Sequence, residues 1–273
     1  MIKIKLLLIV LVGVFSVNYS LKACSVLYYV DKATGKIYAV NNEDYWYDVE
    51  AYIQIEPRSK NKLARLWYGW DNFAQGGINE SGLFFDAAVT PEQQKINGYG
   101  NPKNNLGDKI LAHCRNVAEA LAFLEKEKIA LNKSHMMFGD KSGKAVIVEW
   151  VDGERVLHWM EGNQLIMTNY LLSKPEAGNY PCYRYESIEK RIAAMEQTAE
   201  IDLLKVGNTF GQAAQTPQKT ATGRVAGTVY SSFINITDNQ FFLSYKLSNQ
   251  NVIKLDLGDE FSKTKKQRIK LED

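Results

Sequence analysis

The sequence has few residues of the kinds that build metal centres, disulfide frameworks or nucleotide sites. Its 273 residues include three cysteines, three histidines and six prolines. No H-E-x-x-H or C-x-x-C segment occurs, and neither a P-loop nor a dinucleotide-binding glycine fingerprint is present. The net charge is only +2, so no strong field attracts nucleic acid or an anionic membrane. The composition therefore predicts no metal, no cofactor and no nucleic-acid partner.

Long hydrophobic runs are also scarce. Residues 6–15 are apolar apart from Gly13 and follow a short basic start. A bilayer span needs about 20 apolar residues, so this run is typical of an export signal and not of a membrane anchor. We expect residues 1–23 to be a signal peptide and residues 24–273 to form a single exported domain. That domain is expected in the periplasm or outside the cell, without a transmembrane span.

The residue at the expected cleavage point is Cys24, and it has two interpretations. Released as the first residue, it offers a thiol beside a free α-amine. The preceding residues, Leu21-Lys22-Ala23, also resemble a lipoprotein processing site, at which the cysteine is lipidated and the protein is tethered to a membrane. The cleavage site alone leaves both open. For the other two cysteines, Cys114 and Cys182, a disulfide and two free buried thiols are equally open.

Alternation and turn signals predict a chain rich in β-structure. Strands are expected at residues 25–30, 37–40, 52–56, 63–68, 83–89, 135–139, 145–150, 155–159 and 165–168, with a closing meander at 227–235, 240–247 and 252–257. Helical spacing predicts helices at residues 108–126, 185–198 and 202–210. Turns are expected at Gly76–Gly77 and at residues 79–82, and the basic tail, residues 263–270, is expected to be solvated. This order predicts an α+β fold with helices on the outer faces of antiparallel sheets.

A cysteine at a new N-terminus can act as a nucleophile without a histidine. A free thiol has a pKa near 8.5 and needs an adjacent base. The α-amine of the same residue has a reference pKa of about 7.7–8.0, so it is partly neutral near physiological pH and can accept the thiol proton. The three histidines, His113, His135 and His158, form no recognisable triad pattern. The sequence therefore favours Cys24 as an N-terminal nucleophile.

The segment from Cys24 onward reads CSVLYYVDKATGKIYAVNNEDYW and resembles the start of the choloylglycine hydrolase family. This family of linear amide C–N hydrolases includes bile salt hydrolases, penicillin V acylases and the acyl-transferases of penicillin biosynthesis. The family's second strand ends in a motif like R-N-x-D-W, and the resemblance assigns its catalytic Asp to Asp44. Asn41 stands where the family has Arg. Asn41 and Trp46 are candidates for contact with the substrate.

Later segments match the family in the same order. Residues 77–83 resemble its G-x-N-E-x-G-L segment, residues 135–149 its central hairpin, and residues 228–232 its T-x-Y-T-S strand. Val89 stands where the family has an oxyanion-binding side chain, so only a backbone N–H could serve there. The resemblance assigns the oxyanion-holding amide to Asn169 and the arginine beside the nucleophile to Arg184.

The resemblance implies an N-terminal-nucleophile hydrolase fold, an αββα sandwich of two antiparallel sheets between helical layers. It implies that Cys24 attacks the amide bond of a small N-acyl substrate and that water hydrolyses the resulting acyl-thioester. Transfer of the acyl group to an amine, and a lipidated binding protein without turnover, remain alternatives. The long insertion that bile-salt-cleaving relatives use for tetramer contacts is missing between Asn169 and Arg184, so the family tetramer is not expected.

Overall fold

The computed structural model describes residues 24–198 and 200–272, and the expected signal peptide, residues 1–23, lies outside the described residues. Most of the described chain is β-structure. The strands are β1 Ser25–Val30, β2 Ile37–Trp46, β3 Tyr52–Glu56, β4 Arg65–Trp70, β5 Phe73–Asn79, β6 Phe84–Val89, β7 Ser134–Gly139, β8 Ala145–Val151, β9 Glu154–Trp159, β10 Gln164–Met167, β11 Gln218–Lys219, β12 Val225–Asn235, β13 Gln240–Tyr245, β14 Val252–Asp256 and β15 Gln267–Lys270. The α-helices are α1 Leu106–His113, α2 Val117–Lys126, α3 Tyr183–Met195, α4 Leu203–Asn208 and α5 Leu257–Ser262.

The strands form two antiparallel sheets that pack face to face. The first sheet has the order β10-β1-β2-β12-β13-β14, with β11 added beside β12, and the second has the order β15-β3-β4-β5-β6-β7-β8-β9. An apolar core between the sheets joins residues of both, such as Val26 and Ile234 with Leu66 and Ile147. The expected sandwich of two antiparallel sheets is thereby confirmed.

Helices cover the outer face of each sheet. Leu27 of β1 packs with Ile188 of α3 and Val206 of α4, whereas Phe85 of β6 packs with Ile110 of α1. Successive side chains of a strand point to opposite faces, so β1 supplies both its inner and its outer core from one alternating sequence. Full burial of one such aliphatic side chain contributes about 1.5–3 kcal/mol.

The helix predicted at residues 108–126 is two helices in the structure. Cys114 ends α1 with extended backbone angles, φ −110° and ψ 138°. Asn116 then caps α2 by accepting a hydrogen bond from the Glu119 backbone N–H. The apolar spacing continues across the break because both helices bury one face against the second sheet, and spacing alone therefore does not reveal the interruption.

The turn predicted at Gly76–Gly77 is also wrong, since both glycines lie inside β5. A Cβ atom on Gly76 would come within 2.2 Å of the Asp86 carboxylate and 2.6 Å of the Tyr68 ring, and one on Gly77 within 2.4 Å of the Leu66 carbonyl oxygen. These glycines permit the close approach of neighbouring groups and do not reverse the chain.

The basic tail, predicted as solvated, contributes an edge strand. Residues Gln267–Lys270 form β15, which pairs antiparallel with β3, although alternate side chains are exposed. Its charged side chains are those expected on an edge strand, where they discourage pairing with another chain.

The three cysteines are free thiols, and each is buried. The Cys114 thiol contacts the Glu119 carbonyl oxygen, whereas Cys182 accepts a hydrogen bond from the Thr168 hydroxyl. This resolves the open alternative for Cys114 and Cys182 in favour of unpaired thiols. Within residues 24–198 and 200–272, no helix is long and apolar enough to cross a membrane.

Candidate active site

The thiol of Cys24 lies at one end of the sandwich, between the two sheets. Cys24 directly precedes β1, and because Ser25 pairs with Asn42, the residue opposite Cys24 on β2 is Glu43. The Cys24 Sγ atom donates a hydrogen bond to Glu43 Oε1 at 3.2 Å, and Cys24 is only 4% exposed. The pairing of the first two strands therefore determines what surrounds the thiol.

Arg184, near the start of α3, joins the other residues that the sequence assigned to catalysis. Its Nη1 atom lies 3.4 Å from the Cys24 carbonyl oxygen and 3.5 Å from Asp44 Oδ2. Its Nη2 atom donates to Asn169 Oδ1 at 2.9 Å. The structure thus brings Cys24, Asp44, Asn169 and Arg184 together from four separate segments of the chain.

Asp44 is buried and has two stabilising partners. The Thr228 hydroxyl on β12 donates to its Oδ1 atom, and the Arg184 guanidinium lies beside its Oδ2 atom. Burial raises the pKa of Asp44 to about 7, although the positive charge of Arg184 and the Thr228 hydrogen bond both lower it. The ionisation of Asp44 therefore depends on nearby positive charge.

Asn169 and Val89 lie together at an edge of β6. The Asn169 side-chain Nδ2 donates to the Val89 carbonyl oxygen at 2.8 Å. The next residue, Thr90, donates its backbone N–H to the carbonyl oxygen of Lys133, on the side of β7. Along an antiparallel pair the backbone groups of successive residues point to alternate sides, so the N–H and C=O groups of Val89 point away from β7, toward Asn169. An amide side chain and a backbone N–H, the two expected oxyanion donors, are therefore neighbours.

The loop that carries Asn169 rests on a buried cluster around Glu149, which the sequence did not reveal as part of the site. Glu149 accepts hydrogen bonds from the backbone N–H groups of Leu172 at 2.7 Å and Ser173 at 3.0 Å. It also contacts His158 Nε2 at 3.0 Å and His135 Nδ1 at 3.2 Å, while His135 Nε2 lies 2.6 Å from the Thr168 carbonyl oxygen.

Glu149 is ionised in this setting. Burial raises the pKa of its carboxyl group, but hydrogen bonds from His135, His158 and Ser173 outweigh burial and hold that pKa well below its usual range. His135, one of the three histidines without a recognisable triad pattern, therefore helps to fix the backbone immediately before Asn169.

The side chains of the two candidates for substrate contact have partners other than the four catalytic candidates. Asn41 points between the sheets, where its Nδ2 atom donates to Asp86 Oδ1 at 3.0 Å. Trp46 lies at the end of β2 beneath the Arg224 guanidinium, 4.2 Å from the ring centroid, and Arg224 pairs with Asp48. Neither residue hydrogen-bonds Cys24.

Glu43, like Glu149, was not predicted from the sequence as part of the site, because it stands at the variable position of the R-N-x-D-W-like motif. Burial raises its pKa to about 8. Burial, followed by the charges of Glu43 and Asp44, raises the pKa of the Cys24 thiol well above its ordinary value. An acid near the end of β2, the strand that pairs with β1 and reaches back to Cys24, was the available signal.

The arrangement suits acyl transfer. It combines a thiol nucleophile, a carboxylate on each face of β2, one guanidinium, and amide donors at a strand edge. Among the described residues, no group of three or more histidine, cysteine or acidic side chains could hold a metal ion.

Comparisons with known proteins identify the family and the fold. The family model for acyl-coenzyme A:6-aminopenicillanic acid acyl-transferase matches residues 32–205, more than half of the 273-residue chain. A variant of conjugated bile acid hydrolase from Clostridium perfringens superposes with a TM-score of 0.73 at 18% identity, covering 91% of this chain and 97% of that chain. Penicillin V acylase from Agrobacterium tumefaciens superposes with a TM-score of 0.70 at 19% identity, covering 91% of each chain.

A third solved structure is more distant. It is the Caenorhabditis elegans ortholog of N-acylethanolamine-hydrolyzing acid amidase, with a TM-score of 0.55 at 12% identity, covering 91% of this chain and 100% of that chain. At these identities the likeness shows the fold, which is that of the N-terminal-nucleophile hydrolases. No protein with a curated description matches the sequence significantly.

Proposed function

Because the chain belongs to the acyl-coenzyme A:6-aminopenicillanic acid acyl-transferase family, a family of linear amide C–N hydrolases, we propose that it is an exported cysteine amidase. Its substrate is a small N-acyl amide, and Cys24 becomes the first residue of the mature protein. The observation that carries this proposal is the convergence of Cys24, Asp44, Asn169 and Arg184 at one end of the sandwich.

The reaction proceeds through an acyl-thioester. The Cys24 thiol loses its proton to a base, which in the simplest form is its own α-amine, and Sγ attacks the amide carbon. The negative charge that develops on the carbonyl oxygen is bound by the Asn169 amide and the Val89 backbone N–H. For this, Asn169 Nδ2 must exchange the Val89 carbonyl oxygen for the substrate oxygen.

Asp44 and Arg184 control charge around the nucleophile. An ionised Asp44 stabilises the ammonium form of the α-amine, which donates a proton to the leaving nitrogen. Arg184 keeps positive charge beside both Asp44 and the Cys24 carbonyl group. Water then attacks the thioester, the acid leaves, and the thiol is restored.

The substrate class follows from the family and from the named relatives. The names of these relatives describe the cleavage of conjugated bile acids, penicillin V and N-acylethanolamines, all of which contain an acyl group in amide linkage. Acyl transfer to an amine is the second candidate, because the matching family model is named for an acyl-transferase. A lipidated Cys24 is incompatible with either activity, because its amine is acylated.

Intact mass spectrometry of the exported protein tests the N-terminus, and a panel of acyl amides tests the chemistry. We expect a mass that begins at an unmodified Cys24, together with release of amine from at least one panel member. The matched pair is Cys24→Ala, which should be inactive, and Cys114→Ala, which removes a thiol far from the site and should retain activity. A lipid-modified Cys24, or equal turnover by Cys24→Ala, would refute the proposal.

A second assay with added amines separates hydrolysis from transfer. If the thioester is captured by water, added amine leaves the yield of free acid unchanged. If an amine is the natural acceptor, a new amide accumulates at the expense of free acid.

A further inference from the structure

Glu43 is a wholly buried acid in direct contact with the candidate nucleophile. Its Oε1 atom accepts the hydrogen bond from Cys24 Sγ at 3.2 Å. Its Oε2 atom is buried and has no hydrogen-bond partner among the described residues. A buried carboxyl oxygen without a hydrogen-bond partner costs free energy.

The groups that face Glu43 come from every neighbouring strand. They are Cys24 before β1, Tyr68 on β4, Asp86 on β6 and Tyr230 on β12. The Asn41 side chain, on β2 itself, also interacts with the Glu43 carboxyl group and lowers its pKa. Asp86 has partners of its own, since Asn41 Nδ2 donates to it at 3.0 Å and the Tyr68 hydroxyl at 2.9 Å. Of the carboxyl groups described around the thiol, only Glu43 hydrogen-bonds it.

The remaining charged groups lie beside Asp44. Arg184 contacts the Asp44 carboxylate and the Cys24 carbonyl oxygen, and the Asp44 backbone N–H hydrogen-bonds the thiol. After removal of residues 1–23, the Cys24 α-amine is a further titratable group at this position. None of these groups lies between Glu43 Oε1 and Cys24 Sγ, which are in hydrogen-bond contact.

Electrostatics couples Cys24 and Glu43 into one titrating pair. Two negative charges 3.2 Å apart in a buried site repel strongly, so a thiolate and an ionised Glu43 do not coexist there. When the pair has lost one proton, the remaining proton lies on Sγ or on Oε1. Attack by Sγ is then accompanied by movement of that proton to Oε1.

We propose that Glu43 is a catalytic base of this site, and that its Oε1 atom takes the proton of Cys24 Sγ as Sγ attacks. The inference rests on the proposed function and deepens it. The Sγ–C bond forms while the S–H bond breaks, and Oε1 holds the proton through the thioester stage. Because Glu43 takes this proton, the α-amine can remain an ammonium group, supported by Asp44, and give its proton to the leaving nitrogen.

The second half of the reaction restores the starting state. A water proton passes to the neutral α-amine as the water oxygen attacks the thioester. The C–Sγ bond then breaks, and the proton held on Glu43 Oε1 returns to Sγ. The sum is one amide and one water converted to one acid and one amine, without any other reactant.

Alkylation of Cys24 by iodoacetamide tests the pair without any substrate. The rate is measured by mass spectrometry of the Cys24 peptide in the processed protein, from roughly pH 6 to pH 10, for the native protein and Glu43→Gln. Gln keeps the shape of Glu but is not a base. Alkylation of buried Cys114 in the same sample reports unfolding, so a misfolded variant is recognised.

The native rate should rise with a midpoint near pH 8, where the pair loses its first proton. In Glu43→Gln the midpoint should move above pH 9, because the buried thiol titrates alone, and the rate at pH 8 should fall at least tenfold. An unchanged midpoint would identify the α-amine as the only base, and faster alkylation would show that Glu43 merely repels the thiolate. Either result overturns the proposal.

The native profile is informative even if Glu43→Gln does not fold. A native midpoint above pH 9 also overturns the proposal, because the thiol is then unassisted. The proposed function fails differently, by a modified Cys24 amine or by no turnover of any acyl amide while the alkylation profiles behave as expected.

Discussion

The guanidinium of Arg184 donates to the side-chain carbonyl oxygen of Asn169 at 2.9 Å, and this bond fixes which end of the amide faces the strand edge. With its oxygen held by Arg184, the Asn169 amide must present its Nδ2 atom toward Val89, which it reaches at 2.8 Å. An amide that faced the other way would direct an acceptor at the developing oxyanion. The orientation that the proposed mechanism requires therefore depends on the arginine.

Asn169→Ala should lower kcat with little change in KM. Loss of one oxyanion donor typically costs 10²–10³ in kcat, about 3–4 kcal/mol. Steady-state kinetics on a cleaved acyl amide measures the effect, and Asn61→Ala, at an exposed position, is the matched control. A rise in KM at constant kcat would instead assign Asn169 to ground-state binding.

Arg184→Met should impair activity most at low pH. Arg184 lowers the pKa of Asp44, which burial raises to about 7, so removing the guanidinium raises that pKa further. Fewer Asp44 side chains are then ionised at pH 7, and kcat/KM should fall by on the order of tenfold or more, with partial recovery toward pH 9. A pH-independent loss would mean that Arg184 acts by other means, such as the orientation of Asn169.

Glu149→Gln should destabilise the protein and reduce its activity. Hydrogen bonds from His135 and from the loop after Asn169 hold the pKa of Glu149 below its unfolded value, so its contribution to stability is present above about pH 4.3. That contribution is lost as the pH falls through the folded pKa. Breaking this buried network should cost about 3–5 kcal/mol.

Urea unfolding at pH 7 and pH 3 measures the Glu149 effect. The difference between native protein and Glu149→Gln should be larger at pH 7 than at pH 3. Equal differences at both values would show that the carboxylate charge is not the stabilising feature.

Unlike Glu149→Gln, Glu43→Gln should stabilise the protein at alkaline pH. The folded-state pKa of Glu43 is about 8, above its unfolded value, so folding takes up a proton between roughly pH 4 and pH 8. Stability attributable to Glu43 is thus complete at acid pH and falls as the pH rises, by at most about 1.4 kcal/mol per pH unit.

Gln is neutral at every pH, so Glu43→Gln should not lose stability in this way as the pH rises. The free energy of unfolding of Glu43→Gln should exceed that of the native protein at pH 8 and approach it near pH 4. A variant that is less stable at pH 8 would show that the carboxyl group makes compensating contacts. Catalytic and stability effects of this one substitution are then expected to have opposite signs.

The sequence allowed the layers of the fold to be predicted, because strand alternation and helical spacing record which faces are buried. It also allowed Asp44, Asn169 and Arg184 to be assigned, since each lies in a motif with a family counterpart. Geometry between distant segments was not accessible in this way. The contact of Glu43 with Cys24 depends on the register between β1 and β2, which the sequence does not state.

Some local features could not be predicted from the sequence for similar reasons. The break between α1 and α2 preserves the apolar spacing, so periodicity continued through it. Gly76 and Gly77 have the composition of a turn, and they are explained only by the close approach of Asp86 to Gly76 and of the Leu66 carbonyl oxygen to Gly77. The Glu149 cluster joins three strands and a later loop, and no single motif contains it.

The place of β12 in the first sheet affects when the protein becomes reactive. Thr228, which binds Asp44, lies on this strand and follows Asp44 by most of the chain length, so β2 gains this neighbour only after nearly the whole polypeptide has been made. A partly synthesised chain that has not yet reached residue 228 has the cysteine but not the completed Asp44 environment. The order of synthesis thus delays assembly of the Asp44 environment until residue 228 has been made.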